Sequence, residues 1–281
     1  MIKKIALLTT LCPALAWAEI TAPKPWQHDF NLGIEAQHYH YEEPILDKFD
    51  NGDTTWMNQK GHLFGMSGSY RLTYQNMIFM QPEGRLLIGR ERYESGFNEE
   101  TRNYTKRTIK NLIAEPRLLI GRNFNFNPNV QISPYTGLGY RLKIDDAEKT
   151  VNIIDGTPRP YRKSNYVYIP VGSYLDVRVD DQWSFTISGE YDFLIKGWQY
   201  DRTPQQSPVE MKQKEGYGLK GEIKVSYQME KFGLFANPYV YYWNIKQSKS
   251  AQYLGYGGIY YDTHEPHNTT LESGMRFGVS F

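Results

Sequence analysis

The chain has 281 residues, with 32 lysines and arginines against 31 aspartates and glutamates, for a formal net charge of +1. A balance this even supplies no basic field, so nucleic-acid partners are excluded. The single cysteine, Cys12, rules out an internal disulfide and any thiolate metal centre.

At the N-terminus Lys3 and Lys4 precede a short apolar run that ends in Ala16-Trp17-Ala18. This is the pattern of a secretory signal with a small-x-small cleavage site, expected to be removed before Glu19 on export through the Sec pathway. The run is too short to stay in a bilayer as a helix, and the bulky Leu11 ahead of Cys12 argues against a lipoprotein signal. Residues 1–18 are therefore expected to be a signal peptide and 19–281 a single domain with net charge −1 and no cysteine.

From Phe30 onward the mature chain repeats with a period of two. Phe30, Leu32, Ile34 and Ala36 alternate with Asn31, Gly33, Glu35 and Gln37. The dyad returns with Phe64, Met66, Tyr70, Leu72 and Tyr74 against Ser67, Ser69 and Arg71, with Leu86 and Ile88 against Glu83 and Arg85, and with Leu112, Ala114, Leu118 and Ile120 against Glu115 and Arg117. Further runs begin at Val130, Val167, Trp183, Tyr217 and Leu234. The last, Ser273–Phe281, places Met275, Phe277, Val279 and Phe281 opposite Arg276, Gly278 and Ser280. About ten strands result, with 8 to 12 as the range, since boundaries carry an uncertainty of roughly 2–4 residues. Short connections at Gln75-Asn76, Asp180–Gln182 and Lys231–Gly233 alternate with long ones near 43–60, 95–106, 145–164, 199–214 and 248–267. Pro82, Pro116, Pro134, Pro170 and Pro238 fall inside strands, where local bulges are expected because proline cannot donate to a ladder. Glu83–Arg90 and Glu115–Arg122 nearly repeat one another.

A signal sequence, dyad strands and a final aromatic strand together resemble the outer-membrane β-barrel class of Gram-negative bacteria. The resemblance implies an all-β, antiparallel, up-and-down transmembrane barrel. It also implies that Phe277, Val279 and Phe281 carry the signal read by the barrel-assembly machinery, and that the partners include outer-membrane lipid and lipopolysaccharide. The mean hydropathy of −0.62 is compatible, since barrels hide their apolar surface in alternation. Aromatic residues at 15%, with 23 tyrosines, fit girdles at both membrane interfaces.

With this parity the lumen receives Glu35, Arg71, Glu83, Arg85, Glu115, Arg117, Arg141, Asp176, Arg178, Glu190, Asp192, Glu222, Glu272 and Arg276, and with them Lys196, Lys220 and Lys224. Both signs interleave, whereas a selective pore lines its constriction with one sign, and a barrel of about ten strands is far narrower than a porin. A plugged or narrow lumen is expected, with no catalysis, no cofactor and an unknown extracellular ligand held by the loops. A porin-like channel for small solutes is the alternative. An omptin-like protease is a second alternative, because Asp262-Thr263-His264 has spacing suited to activating a water. Omptins, however, carry such a pair in the fourth loop and face it with two aspartates, which Asp50 and Asp53 match poorly. The His-Gln-Ser-Asn-Gly setting of barrel phospholipases is absent. Closure of the barrel would gather His38, His40, His62, His264 and His267 on one side of the rim. His40, His264 and His267 are thus candidate ligands for zinc, copper or haem.

Overall fold

The computed structural model describes residues 25–43, 55–97, 105–146, 161–203 and 206–281. The leader, Asp50 and Asp53 lie outside the described residues. The dyad runs form β1 (Trp26–Glu43), β2 (Thr55–Tyr74), β3 (Ile78–Phe97), β4 (Thr105–Arg122), a short β5 (Phe124–Asn127), β6 (Val130–Asp146), β7 (Tyr161–Arg178), β8 (Trp183–Arg202), a short β9 (Val209–Gln213), β10 (Gly216–Gln228), β11 (Gly233–Ile245), the short β12 (Ala251–Leu254) and β13 (Tyr260–Thr263), and β14 (Asn268–Ser280). Ten of them pair antiparallel in chain order, β8 joins β10, and β14 pairs with both β11 and β1, which closes the barrel. At the seam Phe30 and Phe281 exchange backbone hydrogen bonds of 3.0 and 2.9 Å. Phe277 and Val279 stand opposite Ile34 and Leu32.

The turn after β2 is tight because Gln75 and Asn76 both take positive φ, 50° and 55°, the left-handed geometry that matches hairpin twist. The connections after β7 and β10 are equally short, and all three fall at one end, which by the rule for such barrels faces the periplasm. The long connections are shorter than expected, because β1 runs on to Glu43, β2 starts at Thr55, and β9 and the β12–β13 hairpin occupy two of the predicted loops. The bulges expected at proline are replaced by a milder defect. Opposite Pro82, Pro116, Pro170 and Pro238 the ladder skips residues and resumes in the same register, and Pro134 stays paired with Ser173. True shifts occur between Asn125 and Asn127 in β5 against β6 and between β7 and β8, where Val167 faces Lys196 and Tyr168 faces Leu194. The extra residue there reverses the parity, so Lys196 points outward instead of into the lumen, with its ammonium 5.0 Å from the Trp198 ring.

Along each long strand the pattern inverts partway up. On the periplasmic side the outward residues are apolar and bare, with Ile34 66%, Phe64 62% and Ile88 61% exposed. So continuous an apolar band would be untenable in water and identifies a lipid-facing surface. Beyond this level the outward positions become His38, Lys60, His62, Arg90, Arg92 and Lys110, while Tyr39, Tyr41, Met57, Leu63, Leu87 and Ile113 turn inward as a buried cluster. Spanning the bilayer takes about 9–11 tilted residues, yet β2, β3 and β8 have 20. The surplus forms a wall outside the membrane, polar without and lined within by this apolar cluster together with buried polar groups such as Gln59, Glu91 and Lys143.

Several inward aromatic rings lie across a glycine on the neighbouring strand. Tyr168 is registered with Gly139, Tyr135 with Gly172 and Tyr239 with Gly274. A Cβ built on Gly139 would come within 2.2 Å of the Tyr168 ring, so the missing side chain is the slot that seats the tyrosine. Gly139→Val should unseat Tyr168 and break its 2.5 Å hydrogen bond to Glu115, destabilising the barrel by about 1–3 kcal/mol. The urea midpoint of the folded, heat-modifiable band should fall accordingly, whereas Leu138→Val, on the outward face of the same strand, should leave it in place.

Candidate functional site

The centre of the lumen is a network of buried charges. Arg85 donates to Glu115 at 2.9 and 2.7 Å, to Glu272 at 2.7 Å, to Glu35 at 3.2 Å and to Gln37 at 2.8 Å. Arg141 donates to Glu115 at 3.3 Å and to Glu272. Lys220 lies 2.9 Å from Glu115 and 3.2 Å from both Glu190 and Asp192. Below them Arg117 grips Glu190 with two bonds of 2.5 and 2.8 Å and reaches Glu83 at 2.8 Å. Arg276 meets Glu35 and Glu222, both at 3.1 Å. The near repeat in β3 and β4 explains part of this geometry. Because the two copies run antiparallel, Glu83 is registered with Arg117 and Arg85 with Glu115, so each Glu-x-Arg pair meets its complement.

Toward the periplasm the bore opens. A vestibule of about 680 Å³ is lined by Arg71, Asn123, Asp176 and Arg178 among others. Arg71 donates to Asn123 at 2.8 Å and lies 3.7 Å from the Phe79 ring, and Asp176 accepts from Thr186 at 2.6 Å. Arg178 is exposed at its edge. Of the fourteen expected lumen charges, Arg71, Asp176 and Arg178 line this open mouth, and the other eleven lie in or beside the central network. Sequence reasoning missed the stopper above that network, the apolar cluster from Tyr39 to Ile113 and a second one of Tyr166, Tyr168, Trp243 and Ile245. The signal was available: runs such as Leu86-Leu87-Ile88 and Leu112-Ile113 break the dyad by making both faces apolar.

Nearer the outer rim Lys143 meets Glu91 at 3.3 Å and also Asp145, and Arg162 gathers three carboxylates, Asp201 at 3.2 Å, Glu43 at 4.0 Å and Glu265. Burial, opposed by the Arg162 guanidinium and reinforced by Glu43 and Asp201, pushes the Glu265 carboxyl up to about 8. Three acids around one cation retain a proton near neutrality.

The rim histidines do not converge. His38 and His62 face outward as a pair with ring centroids 5.0 Å apart, the His40 ring is 2.6 Å from Glu42, and His267 is bonded to Asn244 at 3.1 Å. Among the described residues no group of three or more His, Cys, Asp and Glu is arranged to hold a metal, so His40, His264 and His267 do not form the triad expected from closure. Barrel closure brings β1 and β14 together, but His264 and His267 lie in the irregular segment before β14, and His40 and His267 are each held by a different neighbour. Asp262 lies on the exposed β12–β13 hairpin and accepts a 2.9 Å hydrogen bond from Gln252.

Replacing Arg85 by Met would leave Glu35, Glu115 and Glu272 facing one another in a buried site, a loss of about 3–5 kcal/mol. Urea unfolding should show it, and adding Glu115→Gln should recover part of the loss. For Glu265 the folded pKa lies above its ordinary value of 4.5, so its contribution to stability is fully present below that pH and is lost as pH rises through about 8. Thermal resistance should therefore decline between about pH 5 and 8, and Glu265→Gln should flatten that decline.

No protein-family model matches the sequence, and no curated protein does. Among solved structures the chain is similar to the outer membrane protease OmpT from Escherichia coli, with a TM-score of 0.65 at 10% identity over 92% of this chain and 97% of that one. Weaker likenesses are to the outer membrane protein OprG from Pseudomonas aeruginosa (TM-score 0.36, 12% identity, 90% and 95% covered) and to Ail, the attachment invasion locus protein of Yersinia pestis (0.32, 10%, 91% and 99%). At 10% identity the likeness to OmpT extends to the fold alone, which is a closed outer-membrane β-barrel.

Proposed function

We propose that this protein is a non-conducting, non-enzymatic barrel of the outer membrane, whose bore serves as a structural core and whose extracellular wall and loops engage a ligand or partner. The observation that carries the reading is the stopper across the bore. Arg85, Glu35, Glu115, Arg141, Glu272 and Lys220 have side chains no more than 4% exposed, and the apolar clusters lie above them. An ion crossing this level would have to displace paired charges, which costs several kcal/mol per ion. Function is thereby left to the parts that water and other molecules reach, namely the wall that stands above the membrane and the β12–β13 hairpin, with Tyr260 69% and Ile259 57% exposed.

A protease reading draws support from the likeness to OmpT over nearly the whole chain. Against it stands the setting of Asp262, which is tied to Gln252 on an exposed hairpin, while its expected counterparts Asp50 and Asp53 lie outside the described residues. In planar bilayers the purified barrel should give no stable single-channel steps. Steps of uniform size from the parent would overturn the closed-bore reading. Cleavage of a peptide library that is lost in Asp262→Ala would replace it with the hydrolase.

A further inference from the structure

The outer wall over β9 to β11 carries charges that no described residue neutralises. Lys212, Lys214, Lys246 and Lys249 are all exposed and, with Glu215 and His267, line a shallow basin of about 370 Å³. The chain continues past β10 and β11 as an antiparallel pair, in which Lys249 donates its backbone N–H to the Lys212 carbonyl at 3.2 Å and Lys246 to that of Glu215 at 2.9 Å. Lys212 and Lys249 therefore stand directly opposite each other on one face, an arrangement of like charges that destabilises a sheet. No carboxylate among the described residues lies within ion-pair distance of the four ammonium groups, although Glu215 shares the basin. The field is felt locally: burial, and then Lys246, lower the pKa of His267.

Height selects the counter-ion. Tyr191, Tyr217 and Tyr242 form an aromatic belt on this side of the barrel, with centroids 5.6 and 6.3 Å apart in sequence around the wall, and such belts mark the membrane interface. Lys214 lies three residues beyond Tyr217 and Lys246 four beyond Tyr242. At roughly 3.3 Å per residue and a strand tilt near 40° this places them about 8–10 Å above the belt. Lys212 and Lys249 are higher still, and long lysine stems can direct their heads back toward the interface. A glycerophospholipid head group adds only about 5–7 Å beyond the hydrocarbon on each side. A phosphate raised on a sugar reaches further.

We propose that this basin binds the phosphate groups of a phosphorylated glycolipid of the outer leaflet, with Lys212 and Lys249 sharing one phosphate and Lys214 and Lys246 completing the cradle. The anion relieves the cross-strand repulsion and fixes the barrel to a neighbouring lipid. The site lies on the outer wall, so the inference stands whether or not the bore conducts.

The test uses the folded, detergent-solubilised protein and diphosphorylated lipid A as probe, with phosphatidylcholine, heparin and inorganic phosphate in parallel. Binding is read by native mass spectrometry and by the lipid-dependent rise in melting temperature. Changing Lys212 and Lys249 to Ser should weaken lipid A binding on the order of 10- to 30-fold while leaving the lipid-free melting temperature unchanged or higher. Changing Lys60 and Lys110 to Ser, on the far wall, should leave the affinity within about twofold. Equal loss in both variants, or undiminished binding in the first, would overturn the site. Heparin or inorganic phosphate binding as tightly as lipid A would overturn the lipid as its occupant.

Discussion

A charge that points into a bore too narrow for bulk water has to be neutralised from across that bore, and the rest of this structure depends on that constraint. Arg85 on β3 takes carboxylates from β1, β4 and β14, Lys220 on β10 from β4 and β8, and Arg276 on β14 from β1 and β10. Each cation thus ties together strands distant in sequence. Buried ion pairs of this kind contribute little net stability against an apolar alternative. What they specify is register, since sliding one strand by a single residue would turn its charges to the lipid. The antiparallel Glu-x-Arg repeat is the smallest case, two strands that each complete the other only in one alignment.

The same constraint explains why the wall changes character with height. Inside the membrane the outer surface must be apolar, so polar residues are confined to the lumen and have to pair there. Above it the outer surface meets water, and the interior can revert to Leu63, Leu87 and Ile113. The described bore is filled first by charge pairs and then by apolar packing. Tyrosines seated on glycines join the two regimes. Tyr168 packs with Trp243 in the upper cluster while its hydroxyl donates to Glu115 and accepts from Lys220 below.

Strand number, order and the lumen face were legible in the sequence because period-two alternation is a local property that survives any tertiary detail. Residue parity placed Arg85, Glu115, Arg141 and Glu272 correctly without knowledge of their partners. It failed at Lys196, because one inserted residue in a ladder reverses every later side chain and leaves no mark in composition. It also gave no triad for His40, His264 and His267, where closure pairs β1 with β14 but His40 is taken by Glu42 and His267 by Asn244. Prolines were expected to shift register and instead only interrupted pairing, since a skipped hydrogen bond costs less than re-aligning a whole strand. The aromatic stopper lay in plain sight as doubled apolar residues, which a search for alternation treats as noise.

The distribution of unmatched charge then says where the chain expects company. In the central lumen the buried cations meet carboxylates that the chain itself supplies. On the outer wall that requirement is lifted, and the chain places Lys212 against Lys249 where a carboxylate on either strand would have removed the repulsion. Water alone tolerates such a pair, since exposed charges are well screened. Four lysines gathered in one basin beyond the aromatic belt, with the nearest carboxylate not engaged by any of them, are a different arrangement from scattered solvated charge. A lumen of paired charges and an open basic basin are consistent halves of one design, in which polar chemistry inside the barrel holds the fold and polar chemistry outside it is left available.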